Sequence, residues 1–134
     1  NSTPYLIVSG ASFGAYHAMN FALRHPEISN RAIAMSGMFN IERWLGDYRD
    51  DNVYQHCPCL YLPNEHELTR LNQLKRLNLV LAVGKDDPNI EYNRWFSGVL
   101  WQKGIWHALR IWDGWAHDWP WWQRMIQLYI NGPD

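Results

Sequence analysis

The chain has few of the features that would place it in a membrane, on nucleic acid or in an oxidised scaffold. None of its 134 residues belongs to an apolar run approaching the roughly 18 needed to cross a bilayer. Its 12 basic and 13 acidic side chains leave a formal net charge of -1, with no basic stripe, so nucleic acid is not an expected partner. Only two cysteines occur, Cys57 and Cys59, with Pro58 alone between them. A disulfide across one residue is strained, so both are expected as thiols of a reducing, cytoplasmic compartment. His56 and His66 flank them, but Cys-x-Cys beside a histidine does not match the usual zinc spacings, so no metal is expected. No signal peptide, internal repeat, low-complexity tract or linker is visible, although the chain begins at Asn1 and not at Met. Nothing in the pattern calls for a cofactor.

What is present is a hydrophobic share of 47%, enough for one domain over residues 1–134 with a real core. Short apolar runs alternate with helical patterns. Strands are expected at Tyr5–Ser9, Arg31–Met35, Asn78–Val83 and His107–Trp112. Helices are expected at Phe13–Arg24, Glu91–Lys103 and Trp119–Ile130, with a further one near Glu67–Lys75. Pro26 closes the first helix, Gly104 suits the C-terminal end of the next, and Pro120 fits the first turn of the last. Trp95, Phe96, Val99 and Leu100 should form the inner face of one helix. Trp122, Met125, Ile126, Tyr129 and Ile130 should form the stripe of another. Strands alternating with helices imply an α/β fold, a parallel sheet covered by helices on both faces. Residues 38–76 mix aromatics, charges and prolines and are expected as an irregular excursion over the site.

The first strand runs into Gly10-Ala11-Ser12-Phe13-Gly14, and a helix follows at once. A strand that reverses sharply into a helix holds the middle residue in a strained conformation and leaves its side chain pointing out. Glycines two before and two after remove Cβ atoms that would collide. Ser12 is therefore the candidate nucleophile.

An acidic turn, Gly84-Lys85-Asp86-Asp87-Pro88, follows the third strand, at the edge where parallel sheets collect functional groups. Asp87 is the expected partner of a histidine, with Asp86 the alternative; capping of the next helix would explain either without catalysis. His117 lies after the fourth strand, in Asp113-Gly114-Trp115-Ala116-His117-Asp118-Trp119. Serine, acid and histidine in this order form a candidate triad. The other histidines suit structural roles: His17 mid-helix, His25 before a proline, and His107 at a strand start.

These blocks, with Arg24-His25-Pro26, Met35-Ser36-Gly37 and His117-Asp118-Trp119-Pro120-Trp121-Trp122, resemble the esterase families of the α/β-hydrolase superfamily. Among these are the esterase D-like and antigen 85-like groups, and the likeness runs from about Tyr5 to Tyr129. It implies ester hydrolysis through an acyl-enzyme. Ser12 would be the nucleophile, His117 the base, Asp87 its orienter, and the Phe13 backbone N–H a donor to the oxyanion. The superfamily core has eight strands and its nucleophile follows the fifth, so the chain resembles strands five to eight, the C-terminal half. The loop after the third strand, which carries the second oxyanion donor in the family, has no counterpart. Loss of one such donor costs about 2.7–4 kcal/mol of transition-state stabilisation. The alternative expectation is therefore a weak or inactive hydrolase-fold fragment serving as a binding or assembly module. The strand that would pair with Tyr5–Ser9 is also missing, which leaves an apolar edge. Association through that edge is expected, as a homo-oligomer or with a missing N-terminal half.

Eight of the nine tryptophans fall between Trp95 and Trp122. Core packing of the last strand and helix is the expectation for most of them. Trp115 and Trp119, in the histidine loop, are expected to face a small-molecule ester substrate.

Overall fold

Four apolar runs become four parallel strands in the computed structural model, which describes residues 3–132. Asn1, Ser2, Pro133 and Asp134, the outermost positions of the expected domain, lie outside the described residues. The strands are β1 (Ile7–Ala11), β2 (Arg31–Met35), β3 (Asn78–Gly84) and β4 (His107–Trp112), and they lie in the sheet in chain order. Ile7 stands opposite Arg31, Arg31 opposite Asn78, and Leu79 opposite His107, so the C-terminal ends of all four strands lie at one edge of the sheet.

Alternation along the strands divides the core in two. On one face, Ala32, Ala34, Leu79 and Leu81 pack with Ala15, Met19, Ala22 and Leu23 of helix α1 (Phe13–Arg24) and with Phe96, Val99 and Leu100 of α6 (Ile90–Gln102). On the other, Ile33, Met35, Val80 and Ala82 meet Met125 and Tyr129 of α7 (Trp119–Tyr129). β2 and β3 are buried almost throughout, as central parallel strands should be.

Residues 38–76 are more helical than expected. They hold α2 (Glu42–Leu45), α3 (Asp51–Gln55), α4 (Pro58–Tyr61), a 3-10 turn (Leu62–Asn64) and α5 (Leu68–Leu74). Local caps define two of them: Asp50 accepts from the Val53 N–H, and Glu67 accepts from those of Thr69 and Arg70. Cys57 and Cys59 are free and buried in this segment, and burial pushes both thiols' pKa values up.

Other boundaries and faces shift as well. β1 runs two residues later than expected because Gly10 and Ala11 still pair with Ala34 and Met35. Glycine ends the side-chain pattern there without ending the backbone ladder. Trp95 is 50% exposed: the buried arc of α6 is centred on Phe96, with Asn93 and Ser97 on one flank and Trp95 beyond the other. Ile130, just past the end of α7, is exposed too. Core packing fails as the account of most tryptophans, since Trp95, Trp101, Trp106, Trp115 and Trp119 are each about half exposed or more. Trp112, Trp121 and Trp122 do pack against the α7-side core.

Candidate active site

Ser12 sits between the last residue of β1 and the first of α1, with φ 57° and ψ -117°. A left-handed φ is costly for serine and is held here by its surroundings, including the Ser12 N–H donated to the Met35 carbonyl at 2.8 Å. Gly10 makes the turn possible, because a Cβ there would stand 2.1 Å from the Gly14 carbonyl oxygen. Gly14 differs from expectation, since a Cβ on it would meet nothing within 4 Å. Only the first glycine is sterically required.

The end of β3 and the histidine loop are built against each other. A Cβ on Gly84 would lie 2.2 Å from the Trp115 carbonyl oxygen. The N–H groups of Lys85 and Asp86 donate to the carbonyls of Trp112 and Gly114. This contact orients the acidic turn. Asp87 is 1% exposed; one of its carboxylate oxygens accepts the Asn89 N–H at 2.8 Å and the other lies 2.7 Å from His117 Nδ1. Asp86 points to solvent. With Nδ1–H donated to the carboxylate, the His117 Nε2 lone pair faces Ser12, whose Oγ lies 3.2 Å away. The structure thus brings Ser12, Asp87 and His117 into one hydrogen-bonded chain.

Ser36, directly after β2, ties the loops together. It is fully buried at φ 56°. Its hydroxyl accepts from Trp122 Nε1 at 3.0 Å and donates to the Ala116 carbonyl at 3.4 Å, while its own carbonyl accepts from Asn89 Nδ2. One serine therefore links the histidine loop, α7 and the acidic turn. The readable signal was a serine-glycine pair directly after a strand, at the functional edge of the sheet. Ala116, next to His117, also has positive φ, at 48°.

A hollow of about 320 Å³ opens over the three residues, with walls that include Met38, Arg43, Trp44 and Trp115. Residues 38–76 therefore contribute Met38, Arg43 and Trp44 to its walls. Trp115 stacks on His117 with ring centroids 5.5 Å apart, and Trp122 meets the same ring edge-on. Phe13, whose ring meets Trp44 edge-on, lines the hollow. Its N–H is the first of α1, a position where the helix itself supplies no acceptor. Trp119 is placed differently from expectation: it lines a separate hollow with Ser9, Ala11 and Ile126. The first turn of α7 places it beside the end of β1 and not in the hollow over Ser12.

A parallel sheet with a serine at a strand-to-helix turn and a histidine between serine and carboxylate defines an α/β-hydrolase fold. The family described as "Putative esterase" matches residues 1–128, and the chain belongs to that esterase family. Solved structures agree on the fold. A ferulic acid esterase is 23% identical, with a TM-score of 0.74 over 89% of this chain and 47% of its own. A fluorophosphonate-binding serine hydrolase of Staphylococcus aureus is 19% identical, with a TM-score of 0.71 over 90% and 51%. The S-formylglutathione hydrolase of the same organism is 20% identical, with a TM-score of 0.65 over 90% and 48%. The chain spans about half the length of these structures. No curated protein matches it in sequence. None of its described helices is long and apolar enough to cross a membrane.

Proposed function

We propose that the chain is a serine hydrolase of carboxylic esters, or the catalytic half of one, working through Ser12, His117 and Asp87. The observation that carries this reading is the unbroken hydrogen-bond path from Ser12 Oγ through His117 to the buried Asp87 carboxylate. Ser12 Oγ attacks the ester carbonyl carbon while His117 Nε2 takes its proton. Asp87 holds the imidazole in the productive tautomer and stabilises its cation. Asp86, turned to solvent, takes no part. The tetrahedral oxyanion receives the Phe13 N–H. On collapse, His117 returns the proton to the departing alcohol and the acyl group stays on Ser12. Water then attacks that ester with His117 again as base, releasing the acid and restoring the serine. Trp115, stacked on the catalytic imidazole, contacts the substrate beside it.

The test is hydrolysis of p-nitrophenyl acetate and butyrate by the chain beside Ser12→Ala. Turnover that disappears in the variant is expected. Equal rates from both would favour the second reading, a binding or assembly module on an esterase fold.

The open side of β1 is a second matter. The strand is an edge of the sheet, flanked by the mainly apolar hollow at Trp119 and Ile126. We propose that further strands of an esterase fold pair there, in keeping with the known hazard of open edges. Gel filtration checks this: a lone chain with an open edge should self-associate at micromolar concentration, and a clean monomer would count against it. Two free, buried thiols fit a cytoplasmic location.

A further inference from the structure

The hollow over Ser12 carries a charge that the chemistry above does not use. Arg43, in α2, lines it together with Ser12 and His117. Other arginines are committed to carboxylates: Arg49 pairs with Glu42, Arg70 with Glu65, and Arg94 with Glu91. Arg43 makes no ion pair among the described residues. Its neighbour Glu42 is taken by Arg49 and by the Asn40 side-chain amide, so the nearest carboxylate in sequence is already engaged. Asp87, the acidic residue of the hollow, is buried against His117 and Asn89. What Arg43 does touch is soft. One guanidinium nitrogen lies 3.4 Å from the Met38 sulfur, and the group sits 5.5 Å from the centre of the Trp44 ring. A thioether is a weak acceptor, and an aromatic face positions a guanidinium without neutralising it. Most of the fork's donors therefore remain free for an anion.

We propose that Arg43 is a specificity-determining residue, and that the site prefers esters bearing a carboxylate on an aromatic body. The carboxylate would meet the Arg43 guanidinium, while the aromatic body lies among Phe13, Trp44 and Trp115. The inference rests on the ester-hydrolase reading for what the hollow receives, but binding tests it separately from turnover.

Calorimetric titration with 4-acetamidobenzoate and with its neutral partner 4-acetamidobenzamide compares the two charges on one frame. The chain should bind the benzoate about fivefold more tightly, the scale of an exposed ion pair, and the preference should shrink as salt is added. Arg43→Gln should reduce the affinity ratio to near one, and Arg43→Lys should keep most of it. Equal affinities in the unaltered chain, no binding of either ligand, or a preference that survives Arg43→Gln would each overturn the inference. In parallel, release of 4-hydroxybenzamide from 4-acetoxybenzamide, compared with Ser12→Ala, reports on hydrolysis. A binding preference without Ser12-dependent turnover would leave the role of Arg43 standing and sink the hydrolase reading. Turnover without the preference would do the reverse.

Discussion

The histidine loop and the segment 38–76 approach the same serine from two sides, and they are held in different ways. The loop is fixed by backbone. Gly84 lets it close onto β3, Asp86 and Lys85 bond to its carbonyls, and Ser36 joins it to α7. The segment presents exposed side chains, Arg43 and Trp44, on a helix of four residues. Its own contacts near the hollow are side-chain pairs such as Arg49 with Glu42 and Asn40 with Glu42. The difference separates two jobs. On the proposed mechanism, groups that must hold sub-ångström geometry for proton transfer are set by the fold itself, and groups proposed to select a substrate stand where surface change costs little stability.

The comparison breaks most sharply at the fixed side. His117→Ala should reduce turnover of p-nitrophenyl butyrate to background. Asp87→Asn should lower kcat by about 10⁴-fold, through loss of the productive tautomer, while Asp86→Asn leaves it nearly unaltered. Steady-state kinetics on the three variants checks this, and a large loss in Asp86→Asn alone would move the acid role to Asp86.

Backbone closeness comes next. Gly84→Ala puts a methyl group 2.2 Å from a carbonyl oxygen, so the loop must shift, at a cost of about 1–3 kcal/mol or more. Activity and thermal midpoint should fall together. Gly10→Ala should behave likewise, whereas Gly14→Ala should be tolerated and can raise the midpoint, since alanine favours a helix by up to about 1 kcal/mol over glycine. If Gly14→Ala proved as harmful as Gly10→Ala, the steric account of the elbow would be wrong.

Ser36→Ala should cost about 1–3 kcal/mol by leaving the Trp122 indole N–H without its acceptor. Denaturant unfolding measures it, and a silent mutation would show that the loop is held without this bridge.

The smallest expected effect lies away from the site. His107 is buried, its Nδ1 bonded to the Ile105 carbonyl and its Nε2 to the Ser97 hydroxyl at 2.6 Å. Burial lowers its pKa below the ordinary histidine value of about 6.5. The unfolded chain then binds the proton more readily than the folded one. The contribution of His107 is intact above the unfolded pKa and is lost as pH falls below it. Stability should decline from pH 7 to pH 5, and His107→Gln should flatten that slope. An unaltered slope would mean that His107 does not carry this pH dependence.

Much of the fold was legible in the sequence, for definite reasons. β2 and β4 fall at their expected residues and α1 runs from Phe13 to Arg24, because buried parallel strands are short apolar runs and Pro26 stops the helix. The order of Ser12, Asp87 and His117 was legible because each follows a strand, and a parallel sheet carries all such ends to one edge. Within 38–76, α5 was legible near Glu67–Lys75, but α2, α3, α4 and the 3-10 turn were not, since three to five residues contain too little periodicity. Trp119 was misplaced because sequence proximity to His117 does not tell which way the first turn of α7 faces. Ser36 and Arg43 were not legible for a similar reason: Trp122, the partner of Ser36, and Ser12 and His117, which share the hollow with Arg43, are distant from them in the chain.

The most direct test of the central claim is labelling of the chain by a fluorophosphonate, with the modified residue mapped by mass spectrometry. An activated Ser12 should take the label, and Ser12→Ala and His117→Ala should lose it. Absence of labelling, or labelling that persists in Ser12→Ala, would contradict a working serine nucleophile at this site.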